Sequence, residues 1–372
     1  MRMLLLAGTA LALLASPASA FNFGVIGQFG NNNVSNNNSQ QDAPGYFGNL
    51  NSSNVAVGAQ VGDDNNMRFK QKAGRWSSNT AGGLQVGDNN TQVTDQETSN
   101  GSGYFTLQKA CPQFWCPWIA VPHATNFKTN SAWTVQVGDD NYSYTFQRGG
   151  GGPGNYSGVL QVGWANGNAV FQVGGNSQDT MQFGLLNGSV TGQFGYRNRS
   201  ETVQMGVLNG QITLQRGFGN EASTTQVGAM NGSATFQLGR HNESDTVQVG
   251  LLNGSVSSQV GRANDATTTQ VGLLNGSQTD QVGYNNEAHT TQVGAFNGSR
   301  TDQIGANNTA STTQVGTFNE SGVYQNGDDN HATALQVGHG NTTEVDQSDS
   351  SNWAAVGQVG NGNSVTFKQS NW

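Results

Sequence analysis

A glutamine recurs every 11 residues through the second half of the chain, and this register constrains the fold more than any other feature. Paired glutamines with the same spacing precede it at Gln60/Gln71, Gln85/Gln96, Gln136/Gln147 and Gln161/Gln172, with a weaker copy from Gln28. Such periodicity is typical of architectures in which each repeat stacks on the next. The uninterrupted series comprises 18 residues: Gln182, Gln193, Gln204, Gln215, Gln226, Gln237, Gln248, Gln259, Gln270, Gln281, Gln292, Gln303, Gln314, Gln325, Gln336, Gln347, Gln358 and Gln369.

Most of these glutamines open the pattern Gln-apolar-Gly-x-x-Asn, as in residues 248–253. Alternate copies differ at the two variable positions. One kind of turn is apolar and is followed by Asn-Gly, as at Leu251-Leu252, whereas the other is polar and is followed by an acid, as at Glu243. The full period is therefore 22 residues, with two strands and two unlike turns in each rung.

Period-two alternation within each half-unit predicts which side chains face inward. Thr or Ser stands two positions before the Gln, and Ser or Ala stands four before it, whereas the residue three before varies freely. We expect the uniform small residues and the Gln to point inward, and the Gly and Asn to form the turns because both tolerate positive φ. The alternative parity directs the apolar residue after each Gln inward.

The repeat predicts an all-β fold, a parallel two-sheet β-solenoid of about 14 strand-turn-strand rungs of 22 residues, amyloid-like on assembly. Gly, Asn and Gln number 53, 45 and 35, and only 34% of residues are hydrophobic, so the packed apolar core of an ordinary domain is not expected. Stacked amides would instead form ladders along the fibre core. The expected ladder residues are the glutamines from Gln182 to Gln336 in the series above, together with Asn209, Asn220, Asn231, Asn242, Asn253, Asn264 and Asn275.

Composition divides the chain into five segments. Residues 1–20 are typical of a secretory signal peptide, with Arg2, an apolar run from Leu4 to Leu14 that is too short for a membrane span, and an Ala-Ser-Ala site. Residues 21–50 are a Gly/Asn-rich segment with a degenerate repeat, 51–96 hold repeats, 97–129 are an insertion rich in Cys, Trp and Pro, and 130–372 are the main repeat array. The insertion is interpreted as a tolerated surface loop or as a contact site for a partner or another fibril.

The only two cysteines, Cys111 and Cys116, lie in that insertion. In an exported protein a local disulfide is the favoured interpretation. A metal site with His123 would need more ligands than the neighbourhood offers, and a catalytic Cys–His pair would lack an orienting third group.

Two columns of turn residues differ in chemistry. Gatekeeper acids that slow premature aggregation are expected at Glu221, Glu243, Asp265 and Glu287, with calcium binding as the alternative and with Arg240 and Arg262 partly neutralising them. An apolar edge for lateral bundling or adhesion is expected at Leu251, Leu252, Leu273 and Leu274.

The repeat resembles the curlin repeat family, which builds curli fibres. The matching residues of one rung are Ala222, Gln226, Gly228, Asn231 and Gln237, and those of another are Ala266, Gln270, Gly272, Asn275 and Gln281. Residues 24–33 are also similar to the segment that addresses curlins to their outer-membrane secretion pore. The chain departs from typical curlins in having more rungs, an insertion, and Thr and Ser where larger aliphatic residues are usual.

The resemblance implies a secreted structural subunit that polymerises into curli-like extracellular amyloid fibres for biofilm matrix and surface adhesion. It also implies a fibre on the bacterial cell surface, with the secretion pore, a nucleator and further copies of the chain as partners. The last half-unit, through Val365, Phe367 and Gln369, is followed by no capping element, so its edge is expected to template the next molecule.

Other interpretations remain at this stage. The chain is alternatively a monomeric adhesive or ice-binding β-solenoid, which needs outward threonines, or a fibre nucleator rather than the bulk subunit. The short, uniform turns argue against an enzyme and suggest no cofactor. The formal charge of −8 argues against nucleic-acid binding, and no later segment is long and apolar enough for a membrane span.

Overall fold

A computed structural model of the chain describes residues 21–41, 53–74, 77–98, 102–109, 118–126, 128–149 and 154–370. These residues form 28 strands and contain no helix long and apolar enough to cross a membrane. The strands are β1 (Phe21–Phe29), β2 (Val34–Gln41), β3 (Ser53–Val61), β4 (Asn66–Ala73), β5 (Ser77–Val86), β6 (Thr91–Thr98), β7 (Ser102–Lys109), β8 (Trp118–Asn126), β9 (Lys128–Val137), β10 (Tyr142–Gly149), β11 (Tyr156–Trp164), β12 (Gly167–Leu185), β13 (Gly188–Val207), β14 (Gly210–Phe218), β15 (Glu221–Ala229), β16 (Gly232–Arg240), β17 (Glu243–Leu251), β18 (Gly254–Arg262), β19 (Asp265–Leu273), β20 (Gly276–Tyr284), β21 (Glu287–Ala295), β22 (Gly298–Ala306), β23 (Thr309–Thr317), β24 (Glu320–Asn326), β25 (His331–His339), β26 (Thr342–Ser348), β27 (Trp353–Asn361) and β28 (Ser364–Ser370).

The strands belong to two units. The first comprises Met1–Leu160 and Val170–Ser177, and the second comprises Gln161–Ala169 and Gln178–Trp372. Apart from β7 and β8, the strands of each unit form an all-β parallel stack, which confirms the predicted β-solenoid, and the described strands make about 13 turns where about 14 were expected.

In the second unit, each strand from β14 onward pairs in parallel with the strand two places further along the chain. β15, β17 and β19 lie in one stack, while β14, β16 and β18 lie in the other. The register brings identical motif positions together, for example Gln226 beside Gln248 and Gly228 beside Gly250. The repeat of 22 residues is therefore one complete turn of the solenoid.

The first unit keeps the same register across irregular spacings. Gln60 pairs with Gln85, and Gln85 pairs with Gln136 although 51 residues separate the latter two. The intervening strands β7 and β8 form an antiparallel sheet of their own. A stretch of unrelated composition is thus accommodated without disturbing the alignment of the rungs that flank it.

The side chains that face the interior are those of the small residues and the Gln, as expected. Ala266, Thr268 and Gln270 are buried, while Val271 is 39% exposed, and the same alternation recurs along the second unit. The opposite parity, with the apolar residue after each Gln inward, is wrong. Buried apolar residues also form clusters. One cluster, in the first unit, is Ala56, Met67, Phe69 and Ala81, and one in the second is Ala310, Val323, Ala332, Val345, Ala354 and Val356.

The turns use positive φ at two positions, of which only one was predicted. Gly250 has a φ of 127°, and a Cβ built on it would lie 1.9 Å from the carbonyl oxygen of Gly272 in the next rung. The second positive φ is 59° at Leu252, not at Asn253, which is buried. The expectation that the Asn forms the left-handed part of the turn is therefore wrong, because this Asn is needed inside.

Candidate polymerisation site: the amide ladders

Each buried glutamine of the second unit bonds to the rungs on both sides of it. Gln248 Nε2 donates to Gln270 Oε1 at 2.8 Å and to the Gly232 carbonyl oxygen at 2.9 Å. Its Oε1 accepts from Gln226 Nε2 at 2.8 Å. Both amide protons and the oxygen thus have partners, which removes most of the cost of burying a polar group.

This bond repeats along both stacks of the second unit, always from the Nε2 of one rung to the Oε1 of the following rung, at 2.8–3.0 Å. Every glutamine expected in the ladder therefore lies in it. One stack contains Gln182, Gln204, Gln226, Gln248, Gln270, Gln292, Gln314, Gln336 and Gln358, and the other contains Gln193, Gln215, Gln237, Gln259, Gln281, Gln303, Gln325, Gln347 and Gln369.

The turn asparagines form a second ladder that runs in the opposite direction. Asn253 Nδ2 donates to Asn231 Oδ1 in the preceding rung and to the Gly272 carbonyl oxygen in the following one, both at 3.1 Å. Asn253 Oδ1 accepts from the backbone N and the Nδ2 of Asn275. The asparagines expected in the ladder all occupy this position: Asn209, Asn220, Asn231, Asn242, Asn253, Asn264 and Asn275.

The first unit contains one further amide ladder that sequence reasoning missed. Asn54 donates to Asn22 at 3.0 Å, Asn79 to Asn54 at 2.9 Å, and Asn130 to Asn79 at 3.2 Å. These four asparagines each stand six residues before the ladder glutamine of their strand, so a common offset was the available signal. The same unit carries the glutamine ladder through Gln60, Gln85 and Gln136.

The buried hydroxyls do not contribute a comparable ladder. The side-chain oxygens of Thr224, Ser244 and Ser255 are buried without a hydrogen-bond partner in the structure. A buried hydroxyl of this kind costs about 1–3 kcal/mol. The side-chain cohesion between rungs therefore comes from the amides, while Ser and Thr keep the interior narrow.

Successive rungs are self-complementary because the two faces of a rung differ. One face presents glutamine N–H groups and the other presents glutamine carbonyl oxygens, in the same positions in every rung of the second unit from Gln182 onward. In the rung of β27 and β28, Gln369 accepts from Gln347 at 2.9 Å and is only partly buried, and Val359 is 78% exposed. Such a surface can bond to another rung of the same kind.

The acid column lies in register on the outer surface of the second unit. Glu221, Glu243, Asp265 and Glu287 follow one another in consecutive rungs. Burial raises the pKa of Glu243, and the neighbouring carboxylates Asp265, Asp245 and Glu221 raise it further. Among the described residues, no group of three or more His, Cys, Asp or Glu side chains is arranged to hold a metal ion.

The two arginines beside this column do not neutralise it as expected. The ion pairs of the described residues include Arg199 with Glu221 at 3.1 Å, but none formed by Arg240 or Arg262. Each of these arginines ends a strand, and the acid begins the next strand beyond the turn, so the two charges lie on different sides of that turn.

The apolar edge is exposed where it was expected. Leu251 and Leu252 are 39% and 41% exposed, Leu274 is similar, and Leu273 is partly buried. The same edge continues to Phe296 and Phe318, whose rings stack with their centroids 4.7 Å apart. The residues expected to form a disulfide, Cys111 and Cys116, lie outside the described residues, as does the expected signal peptide.

Comparison with protein families gives two adjacent matches, both to the Curlin associated repeat, at residues 305–338 and 338–370. No curated protein matches the chain. The matched repeats contain ladder glutamines from Gln314 to Gln369 and share their register with the preceding rungs of the second unit. A curlin repeat suggests a curli-type amyloid subunit, and both the repeat and the β-solenoid are structural rather than enzymatic. The resemblance carried by the glutamine register is thereby confirmed, since residues 305–370 match the curlin repeat.

Proposed function

We propose that this protein is a secreted structural subunit that polymerises end to end into curli-like extracellular amyloid fibres on the bacterial cell surface. The observation that carries the proposal is the polarity of the glutamine ladder. Each rung of the second unit presents glutamine donors on one face and glutamine acceptors on the other, so the last rung of one molecule can bond to a rung of the next. The curlin repeats at residues 305–370 support the same function.

Polymerisation would extend the bonds already present between rungs. A second copy that docks on β27 and β28 gains parallel backbone pairing as well as amide bonds from Gln358 and Gln369. Stacked in-register strands of this kind produce the repeat of about 4.8 Å that defines cross-β structure. The fibre would serve as biofilm matrix and as a means of surface adhesion.

Export and nucleation belong to the same proposal. The signal-like residues 1–20 and the segment 24–33 would direct the chain through a curli-type outer-membrane pore, and a nucleator would start the fibre. Whether the chain is the bulk subunit or itself a nucleator depends on whether it elongates or only initiates fibres, because both carry the repeat.

Seeding tests the proposal. Purified mature chain is expected to elongate from sonicated fibrils without a lag and to give a meridional reflection near 4.8 Å. Gln358→Leu with Gln369→Leu should slow elongation at least tenfold, whereas Lys368→Ala, which removes an exposed ion pair with Glu344, should not. A chain that stays monomeric with seeds present would overturn the proposal.

The monomeric ice-binding alternative depends on outward threonines. The regular threonine column is instead buried, with Thr224 at 1% and Thr246 at 2% exposure. Thermal hysteresis measured on a monomeric sample would be the result in favour of that alternative.

The exposed apolar edge supports lateral bundling or adhesion as part of this function, because contiguous apolar surface promotes association. Changing Leu251, Leu252, Leu273 and Leu274 to Ser is expected to give dispersed fibrils with unchanged cross-β diffraction. Equal bundling of this variant and the wild type in sedimentation and electron microscopy would reject the role of the edge.

A further inference from the structure

One turn edge of the second unit presents two columns of opposite charge. Arg240 and Arg262 end β16 and β18 and stack in register, and both are exposed. Glu243 and Asp265 begin β17 and β19, beyond the same turns, and also stack in register. Adjacent rungs are about 4.8 Å apart, so each column carries closely spaced like charges. We call these four residues the charged edge.

The two columns do not neutralise each other. Arg262 lies with its guanidinium 5.8 Å from the centre of the Tyr284 ring, and no ion pair is found for Arg240 within the described residues. Burial raises the pKa of Asp265 and the neighbouring His289 lowers it, but no ion pair between Asp265 and an arginine is found among the described residues. Stacked like charges that the opposite column does not pair are unfavourable, so a partner that supplies both signs would stabilise the edge.

A groove at the arginine column gives a partner room to approach. Its volume is about 360 Å³, and it is lined by Phe218, Arg240, His241 and Arg262. An anionic polymer that enters this groove would also meet the carboxylates of Glu243 and Asp265 close by. The combination of charges therefore fits a partner that carries both signs at the same spacing, and a second copy of this chain is such a partner.

The relative direction of the two copies follows from symmetry. A two-fold axis parallel to the solenoid axis of the second unit places the arginine column of one copy opposite the acid column of the other. A two-fold axis perpendicular to it, along the direction from one column to the other, places arginines opposite arginines. An isologous contact at this edge is thus attractive only when the two copies point the same way.

We propose that two copies pair side by side through the charged edge, with parallel polarity, and that this contact sets the pairing of filaments. This inference rests on the proposed function, because the pairing takes place between fibres of the proposed kind. The contact lies outside the amide ladders, so polymerisation and pairing are measured separately, by cross-β diffraction and by electron cryo-microscopy.

Charge reversal on preformed filaments tests the pairing. Wild-type filaments are expected as parallel pairs at low salt and as single filaments at 1 M NaCl, where the Debye length is about 3 Å. R240E/R262E filaments and E243K/D265K filaments should each stay single, with elongation rates within twofold of wild type. Mixing the two preformed samples should restore pairs. The control R300E/K368E changes net charge equally at other exposed ion pairs and should pair as wild type does.

Several outcomes would overturn the inference. These are wild-type filaments that are single or antiparallel at low salt, R240E/R262E filaments that pair normally, and a mixture that fails to pair. Wild-type filaments that stay single but bind polygalacturonate, with the binding lost in R240E/R262E, would show an acidic polysaccharide as the occupant instead. A wild-type chain that forms no fibres at all overturns the proposed function first, and this inference with it.

Discussion

Gln248 occupies a position that most folds give to an apolar side chain, since it is completely buried between two sheets. Its burial is tolerated because the amide has partners in the rungs above and below and on the backbone across the interior. The fold therefore depends on the amide group itself rather than on the volume of the side chain.

Gln248→Leu tests this dependence, because leucine fills a similar volume without an amide. The change leaves Gln226 Nε2 and Gln270 Oε1 without their inter-rung partners, and each such loss costs about 1–3 kcal/mol. We expect a lower guanidinium midpoint in unfolding followed by circular dichroism. Gln278→Leu, at an exposed position of β20, is the matched control and should change stability by about 0.5 kcal/mol or less. Equal midpoints for the two variants would contradict the importance of the ladder.

Leu252 is an apolar residue whose backbone adopts the left-handed conformation. Its φ is 59°, a region that costs a non-glycine residue about 1–2 kcal/mol and that Asn adopts more readily. Asn285 occupies the corresponding position of another turn at a φ of 55°.

Leu252→Asn is therefore expected to raise the free energy of unfolding by about 0.5–1 kcal/mol. Leu251→Asn makes the same exchange one residue earlier, where φ is not positive, and should not raise the free energy of unfolding. Denaturant unfolding of both variants checks the comparison. A gain of the same size in Leu251→Asn would assign the effect to polarity rather than to backbone strain.

The turn is the element that brings one strand of a rung onto the next. Its first glycine has both a positive φ and a close approach to the following rung, whereas the glycine after the turn asparagine has neither. Gly250 and Gly254 are four residues apart and differ in this respect, since nothing lies within 4 Å of a Cβ built on Gly254.

Gly250→Ala is expected to disrupt the rung, because its Cβ would overlap the Gly272 carbonyl oxygen at 1.9 Å and the backbone cannot move without breaking the register. Gly254→Ala should leave stability within about 1 kcal/mol of wild type. Thermal unfolding and fibre yield distinguish the two variants. Comparable losses in both would show that the turn is less tightly constrained than the structure indicates.

The strands, their parity and the ladder positions were predictable because each depends on a residue type that repeats in register, as Thr246 and Gln248 do. Other features depend on position rather than on type. The left-handed Leu252 was missed because apolar residues rarely indicate positive φ. The absence of a pair between Arg240 and Glu243 was missed because closeness in sequence does not show that a turn separates two side chains. The inward Val323 follows Thr301 in its column and precedes Val345, so it breaks the pattern of residue types although it keeps the same offset.

Considered over the whole second unit, the acid column adds a pH dependence to a structure held together mostly by uncharged groups. Burial raises the pKa of Glu243 and of Asp265, and neighbouring carboxylates raise both further, although His289 lowers that of Asp265. A raised folded pKa means that the folded state holds protons where the unfolded chain has already lost them. The penalty for stacking these carboxylates is therefore present at neutral pH and is relieved as the pH falls through the folded pKa.

We accordingly expect the guanidinium midpoint to rise between pH 7 and pH 5 and to level off below the unfolded carboxyl pKa of about 4. Glu243→Gln with Asp265→Asn should be more stable than wild type at pH 7 and should lose much of this rise, because the stacked charges are gone at every pH. Glu320→Gln is the matched control, since its neighbours in register are Gly298 and Thr342, neither of them charged, and it should keep the wild-type slope. Guanidinium midpoints measured at pH 5, 6 and 7 for the three proteins check this prediction. A wild type that loses stability from pH 7 to pH 5 would show that other carboxylates outweigh the acid column.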